Sequence, residues 1–408
     1  MTLQTALSGL LGAQTGLNTV SNDLANASTT AFKSQTALFE DVFPAGSTNT
    51  PGTGTETEGI SDDFTQGDLV PTGNPLNAAI QGNGFFVINN NGTQQFTRDG
   101  AFQLSSTGEL VTSAGAPVLG FAAGANGSLG STLSPINVNT GSVPANPTGN
   151  LGLTLDLNSG DPIIPAATAF NPNDPTTFSE STSVVTFDSL GNANRTTLFL
   201  IQNPPAAAGD TPSWTVMAQP ALANGTAVGA PQTLTTLNFS SSGALTSGSP
   251  ATLNVNWGNG AANSAINFNL TGTTLAAQTF AVAGTTNDGF APGSFSGTAI
   301  SSNGEITSTY SNGETVSAGT LGLANFINQE GLEPVTGNIF AATATSGQAV
   351  VNTPGTGLAG TLSSGNLEGS NASTSSLLVS LIQYQQAYQA NTSVIQTEQQ
   401  DSQRLIQI

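Results

Sequence analysis

The 408-residue sequence contains no cysteine and no histidine. Disulfide frameworks, thiol nucleophiles, Cys/His zinc sites and imidazole general bases are therefore all excluded. Basic side chains are nearly as scarce. Lys33, Arg98, Arg195 and Arg404 are the full set, against 24 acidic residues and a net charge of −20. Neutralising phosphates needs clustered Lys and Arg, so nucleic acid is excluded as a partner, and an anionic membrane surface with it. No apolar run approaches the ~18 residues of a membrane span, so no membrane insertion is expected. No basic residue precedes Lys33, so the basic start of a cleaved secretory signal is missing and any export is expected to use another route.

What the sequence does have is turn formers, with 48 glycines and 21 prolines. Strand-like runs lie between them at Phe85–Ile88, Thr182–Phe187, Thr196–Ile201 and Ser213–Met217. Asn91-Gly92, Asp99-Gly100, Asn303-Gly304 and Asn312-Gly313 punctuate these runs as turns. Pro/Gly/Asn-rich stretches at 44–59, 140–150, 202–212 and 284–294 read as linkers or long loops. This middle is β-rich, without a fixed-period repeat.

The two ends differ from it. Leu3, Leu7, Leu10, Leu17, Val20 and Leu24 mark a heptad-like seam in a proline-free segment, interrupted by Gln14 and Ser21. Near the other end, Leu377, Leu381, Tyr384, Tyr388, Ile395 and Leu405 repeat at similar steps in a segment free of Pro and Gly. Two amphipathic helices are predicted. Gly9, Gly12 and Gly16 weaken the first, which needs a partner surface. That partner is either the other terminal helix, in an intramolecular coiled coil, or neighbouring copies of the chain. The small face at Ala6, Gly9, Gly12, Ala13 and Gly16 permits close helix contact, or serves only to keep the segment flexible. Gln385, Gln389, Gln396, Gln400, Gln403 and Gln407, with Thr392, form an uncharged polar stripe on the second helix. It reads as an ordinary solvated face or as the lining of a channel.

Catalytic chemistry finds little support. Asp62-Asp63, or Asp99 with Glu109, offer the two carboxylates of a glycosidase, but 24 acidic residues yield such pairs by chance. Gly82-Asn-Gly84 is half of a dinucleotide fingerprint without its helix, and fits a tight turn between strands better. No calcium loop occurs. No catalytic residue, cofactor or metal ligand is assigned, and a non-enzymatic protein is expected.

Several segments together resemble the bacterial flagellar basal body rod and hook protein family. Ala6-Leu-Ser-Gly-Leu10, Ser21-Asn-Asp-Leu-Ala-Asn26 and Thr30-Ala-Phe-Lys33 are similar to its N-terminal signature, including Ser21, Asn22, Asn26, Phe32 and Lys33. Residues 66–76, 79–86, 96–102 and 108–111 resemble its shared β domain, and Leu367-Glu-Gly-Ser-Asn371 with Tyr388-Gln-Ala-Asn391 its C-terminal pattern. Within residues 185–313, Val185-Thr-Phe-Asp-Ser-Leu-Gly-Asn192 is similar to the outer domain of the hook members, which distal rod proteins lack. A distal rod protein is the alternative reading; a surface adhesin or surface-layer protein fits the composition but not the motifs. Ala31 stands where the family usually has Gly, Asn77 where Asp is common, and Asn194 where His often occurs; Ala372 and Ser373 replace a frequent Val-Asp pair.

The resemblance implies a mainly β fold with α-helical termini paired as a coiled coil, an inner β domain and an inserted outer β domain. Residues 1–32 with 366–408 are expected to form the helical polymerisation part. Residues 33–145 with 285–365 are expected to form a connecting segment and inner β domain, and 146–284 the outer one. The resemblance further implies a structural subunit that self-assembles into a curved, hollow, flexible tube and transmits torque. Its implied partners are copies of itself, the distal rod protein, the hook-filament junction protein, the hook cap and the flagellar export apparatus. Its implied place is the extracellular flagellum. Arg98 and Arg195 are left open between local and inter-subunit pairing.

Overall fold

Both predicted helices are present. The computed structural model describes residues 2–43, 52–124, 128–205, 207 and 212–406. Helix α1 spans Thr2–Ala25 and α2 spans Thr374–Ile406. Both contain the leucine and tyrosine stripes read from sequence, and they pack on each other. Among the described residues between them, all is strand, turn or irregular chain apart from two short 3-10 segments. Parts of the 44–59 and 202–212 stretches, Gln407, and the side chain of Leu405 lie outside what is described.

The chain divides into two compact units. Unit one comprises Met1–Thr140, Gly297–Ser308 and Thr315–Ile408, and so draws on both ends of the chain. After α1 the chain forms an antiparallel hairpin of Gln35–Val42 and Gly54–Asp62. A two-stranded ribbon is marginal alone in water. Here it is backed by α1, with Phe39 and Thr55 against Gly12. Further along, Phe85–Asn90 pairs with Thr93–Thr97 through a tight turn at Asn91-Gly92, whose φ angles of 53° and 87° suit these two residue types. The Phe85 and Phe96 rings pack edge-on with Phe326 and Phe340 to form this unit's core. Two late strands complete it: Thr361–Ser364 pairs with Ala78–Gln81, and Asn366–Glu368 with Leu69–Pro71. Gly82 and Gly84, both at positive φ, turn the chain between Ala78–Gln81 and Phe85–Asn90.

Unit two comprises Gly141–Ser296 and Thr309–Glu314. One sheet is an antiparallel run of Glu180–Phe187, Ala193–Gln202, Trp214–Ala221, Gln232–Phe239 and Leu245–Ser247. A second is built around Asn150–Asn158, where Leu151, Leu153, Leu155 and Leu157 alternate inward. Both sheets contribute to one core that buries Trp214 and Trp257. Asp188 anchors a turn by accepting from Asn192, Asn194 and Asn259. Burial alone would raise its pKa, but these bonds hold it at about 2.

Candidate functional site: the paired helices and their neck

With catalytic chemistry unsupported by the sequence, the features to explain are the helix pair and the short segment joining it to the β strands. Gly9 faces Asn391 and Gly16 faces the Tyr384 ring. Numbers rise along α1 as they fall along α2, so the helices are antiparallel. A Cβ on Gly16 would collide with Tyr384, so this close approach requires glycine. Ala6, Ala13 and Val20 are buried along the same side. The contact stripe is therefore the small-residue face.

Most of the leucine seam remains outside this contact. Leu3 and Leu7 are 46% and 49% exposed, and Leu10, Leu17 and Leu24 are half-buried. On α2, Leu377, Leu381, Tyr384 and Ile395 are half-buried and Tyr388 is exposed. Leu11, Leu378, Val379, Ile382 and Val394 add exposed apolar area that the sequence seam did not include. Their signal was present in the i, i+3 and i+4 spacing of Leu378, Ile382 and Val379. Gln385, Gln389, Gln396, Gln400 and Gln403 are exposed, as is Ser21.

The neck is held by charge. Lys33 Nζ donates to Glu368 Oε1 at 2.6 Å and to the Thr65 carbonyl at 2.7 Å. Arg98 Nη1 lies 3.5 Å from Glu368 Oε2, its guanidinium 5.2 Å from the Phe85 ring centre. The Gly67 backbone N–H adds a third bond to Glu368 at 3.0 Å. All three charged side chains are almost completely buried. Burial outweighs the attraction of Glu368 and lowers the pKa of both Lys33 and Arg98. Arg98 is thus paired within the chain, whereas Arg195 is exposed in unit two.

Around this triad the motif residues act as fasteners. Asn371 Oδ1 accepts from the Ser34 N–H at 2.7 Å, while its Nδ2 donates to the carbonyls of Asp63 and Thr65. Asn26 bonds back to the Asn22 carbonyl and closes α1. Phe32 is buried. Ala31 sits at φ 58°, its N–H on the Glu368 carbonyl at 2.8 Å, so the position where glycine is usual in the resembled family does need left-handed backbone. Asp23, in the last turn of α1, accepts the Gln35 N–H with both oxygens at 3.1 Å. It is 1% exposed, and burial pushes its pKa up to about 6. Sequence reasoning assigned no role to Glu368 or Asp23, although both lie inside segments that carry the resemblance, Leu367–Asn371 and Ser21–Asn26.

Among the described residues, no group of three or more acidic side chains is arranged to hold a metal ion, and no helix is long and apolar enough to cross a membrane.

Comparison with known proteins places three segments in described families. Residues 79–151 match the flagellar hook protein FlgE/F/G D1 domain, 150–290 the flagellar basal body protein FlaE D2 domain, and 363–408 the flagellar basal body rod FlgEFG protein C-terminal region. The sequence is 35% identical over 412 residues to the flagellar hook protein FlgE of Escherichia coli strain K12, covering 98% of each chain. It is 34% identical over 408 residues to that of Salmonella typhimurium strain LT2, again covering 98% of each. The crystal structure of Helicobacter pylori flagellar hook protein FlgE2 shares the fold, with a TM-score of 0.54 at 15% identity over 72% of this chain and 98% of that one.

Proposed function

The chain belongs to the flagellar hook protein family, and from that premise we propose that it is a hook subunit, polymerising into a curved hollow tube that carries torque from rod to filament. The observation that carries this reading is the apolar area left on the paired helices. Leu3, Leu7, Leu11, Leu378, Val379, Ile382 and Val394 are each 46–56% exposed. A monomer rarely leaves so many large apolar side chains wet along one helix pair; a polymer covers them with sister subunits.

In this reading the leucine seam and the α2 stripe at Leu377, Leu381, Tyr384, Tyr388, Ile395 and Leu405 make the strong axial contacts. The β units make weaker, sliding ones that let subunit spacing change around a bend. The exposed Gln385, Gln389, Gln396, Gln400 and Gln403 line the channel, together with Gln407 of the same sequence stripe, and a neutral amide surface there does not retain charged chains in transit. The helical part is 1–32 with 366–408, the connecting segment and inner β domain 33–145 with 285–365, and the inserted outer domain 146–284. The subunit is exported by the flagellar apparatus, and meets the distal rod protein, hook cap and hook-filament junction protein at the ends of the tube.

Deleting residues 377–408 removes most of α2 but spares the strands through Glu368. Sedimentation should show assembly abolished, while tryptophan fluorescence and hydrogen exchange report intact β units. Tube formation by the truncated chain at the full-length concentration would reject the reading.

A further inference from the structure

Five buried side-chain polar atoms lack a hydrogen-bond partner among the described residues, and three of them gather at one end of unit two. These are Gln202 Oε1, Trp214 Nε1 and Asp161 Oδ2. Gln202 and Trp214 stand directly opposite each other in the pairing of Ala193–Gln202 with Trp214–Ala221. Gln202 is 1% exposed, and its Nε2 donates to the Ser159 carbonyl at 3.5 Å, which sets the amide beside the turn that carries Asp161. The other oxygen of Asp161 accepts from Asn158 Nδ2 at 2.9 Å. This turn is fastened over the strand end. The Ile164 N–H donates to the Gln202 carbonyl at 2.9 Å, and Ser179 Oγ accepts from the Gln202 N–H while donating to the Pro162 carbonyl. Leaving such groups buried and bare costs about 1–3 kcal/mol each, so their gathering at one place calls for a ligand.

A second carboxylate faces the same end. Glu180 shares the inward face of its strand with Val184 and Thr186, and it pairs in register with Leu200. Leu200 and Gln202 both point inward from the next strand, so Glu180 is the diagonal neighbour of Gln202, with roughly 7–8 Å between them. Burial raises the pKa of Asp161 and of Glu180, and the charge of Asp161 raises that of Glu180 further. No cation of the chain answers them. Lys33, Arg98 and Arg404 belong to unit one, and Arg195 stands on the strand of Gln202 but about 23 Å along it.

We propose that Asp161, Glu180 and Gln202 bind a calcium ion at this end of unit two, with a water on the ion accepting from the Trp214 indole N–H. The ligand set is oxygen only, two carboxylates and a neutral amide carbonyl, which is the choice of a hard cation. Calcium tolerates such an irregular set, whereas magnesium requires a near-ideal octahedron. The indole N–H repels a bare cation but suits the oxygen of a bound water, so one hydrated ion accounts for all three bare atoms. Two carboxylates just neutralise the ion, and so small a charge count fits an affinity of about 10⁻⁴–10⁻³ M, that of extracellular calcium modules. The ion ties the turn after Asn150–Asn158, a strand of one sheet, to Glu180–Phe187 and Ala193–Gln202 of the other. It therefore clamps the two sheets of unit two together, and this does not depend on the polymerisation reading.

The test uses full-length chain freed of divalent ions, with calcium chloride added at constant ionic strength and urea unfolding followed by tryptophan fluorescence. Both tryptophans lie in the core of unit two. Calcium at about 10 mM should raise the tryptophan midpoint by about 0.5–1 M urea and leave the helical midpoint of unit one in place. Titration calorimetry should show one ion bound per chain in this concentration range. Asp161→Asn and Glu180→Gln keep side-chain volume, and each should weaken calcium binding about tenfold or more and remove most of the rise. Without calcium both variants should be at least as stable as the parent, because each relieves a repulsion between carboxylates; this separates a lost ligand from a damaged fold. No rise in the parent chain overturns the site. So does an equal rise in Asp161→Asn, or an equal rise with magnesium, either of which would mark diffuse screening of the chain's negative charge.

Discussion

Replacing Glu368 by Gln changes one atom in a side chain that is 0% exposed, yet it should be among the most damaging substitutions in unit one. Glu368 is the shared anion for Lys33 at 2.6 Å and Arg98 at 3.5 Å, both buried. The variant keeps volume and an acceptor for Gly67 but leaves two cations facing each other without a counter-charge. Breaking a buried ion pair from one side costs about 3–5 kcal/mol. That is a large part of the roughly 5–15 kcal/mol that holds a typical domain together. Lys33→Met should cost less, because it leaves Arg98 and Glu368 as a balanced pair. Urea unfolding at pH 7 separates the units without labels. Both tryptophans, Trp214 and Trp257, lie in the core of unit two, whereas α1 and α2 belong to unit one and dominate the helical signal. For a urea slope of about 2 kcal/mol/M, the helical midpoint should fall by about 1.5–2.5 M in Glu368→Gln, with the tryptophan midpoint unmoved. A helical shift under 0.5 M, or a Lys33→Met variant as unstable as Glu368→Gln, would refute the argument that uncompensated charge is what costs.

Three further outcomes follow from the neck and helix geometry. Gly16→Ala should destabilise the helix pair by up to about 2 kcal/mol, since crowding Tyr384 outweighs about 1 kcal/mol of helix propensity. Gly9→Ala, which meets the movable Asn391 amide, should be neutral or stabilising, and the opposite order in thermal melts would contradict the packing described. Ala31→Gly should raise the urea midpoint of unit one by relieving a φ of 58°, for a net gain of about 0.5–1 kcal/mol; a loss would show that Ala31 is unstrained. The two units should also respond oppositely to acid. The Asp23 pKa is raised from 3.8 to about 6, so the folded state binds the proton more tightly; stability is greatest below 3.8 and falls as pH rises through 6. Asp23 should thus make unit one more stable at pH 4.5 than at pH 7.5 by about 1–2 kcal/mol after solvent screening, an excess that Asp23→Asn should shrink but not abolish, because burial raises Asp62 and Asp99 of the same unit as well. For Asp188, held at about 2, the stabilisation is present above 3.8 and lost as pH falls through 2, so the tryptophan signal of unit two should weaken in strong acid. Identical pH profiles for the two signals would sink this assignment.

Local sequence carried the architecture well because its signals are short-range. Pro-free ends with apolar steps of three and four residues specify helices, and Asn-Gly punctuation with alternating apolar residues specifies hairpins. The strand at Asn150–Asn158 shows the limit: its alternating leucines were not among the runs read as strands, and its parallel pairing with Ser264–Asn269 joins segments more than a hundred residues apart. The motif residues were identifiable in the same uneven way. Lys33 and Asn371 stood out by resemblance, while what they hold did not.

The sequence by itself determined two terminal helices, a β-rich middle, and a chemistry without thiols, imidazoles or cationic clusters, because composition and periodicity are properties of neighbouring residues. Only the tertiary structure decided which face joins the helices. Hydrophobicity points to the leucines, but close approach is steric, and Gly16 beneath Tyr384 permits it where a leucine cannot. Only the tertiary structure, too, brought Glu368 to Lys33 and Arg98 across 335 and 270 residues, since a buried charge finds its partner through space and leaves no period in the chain.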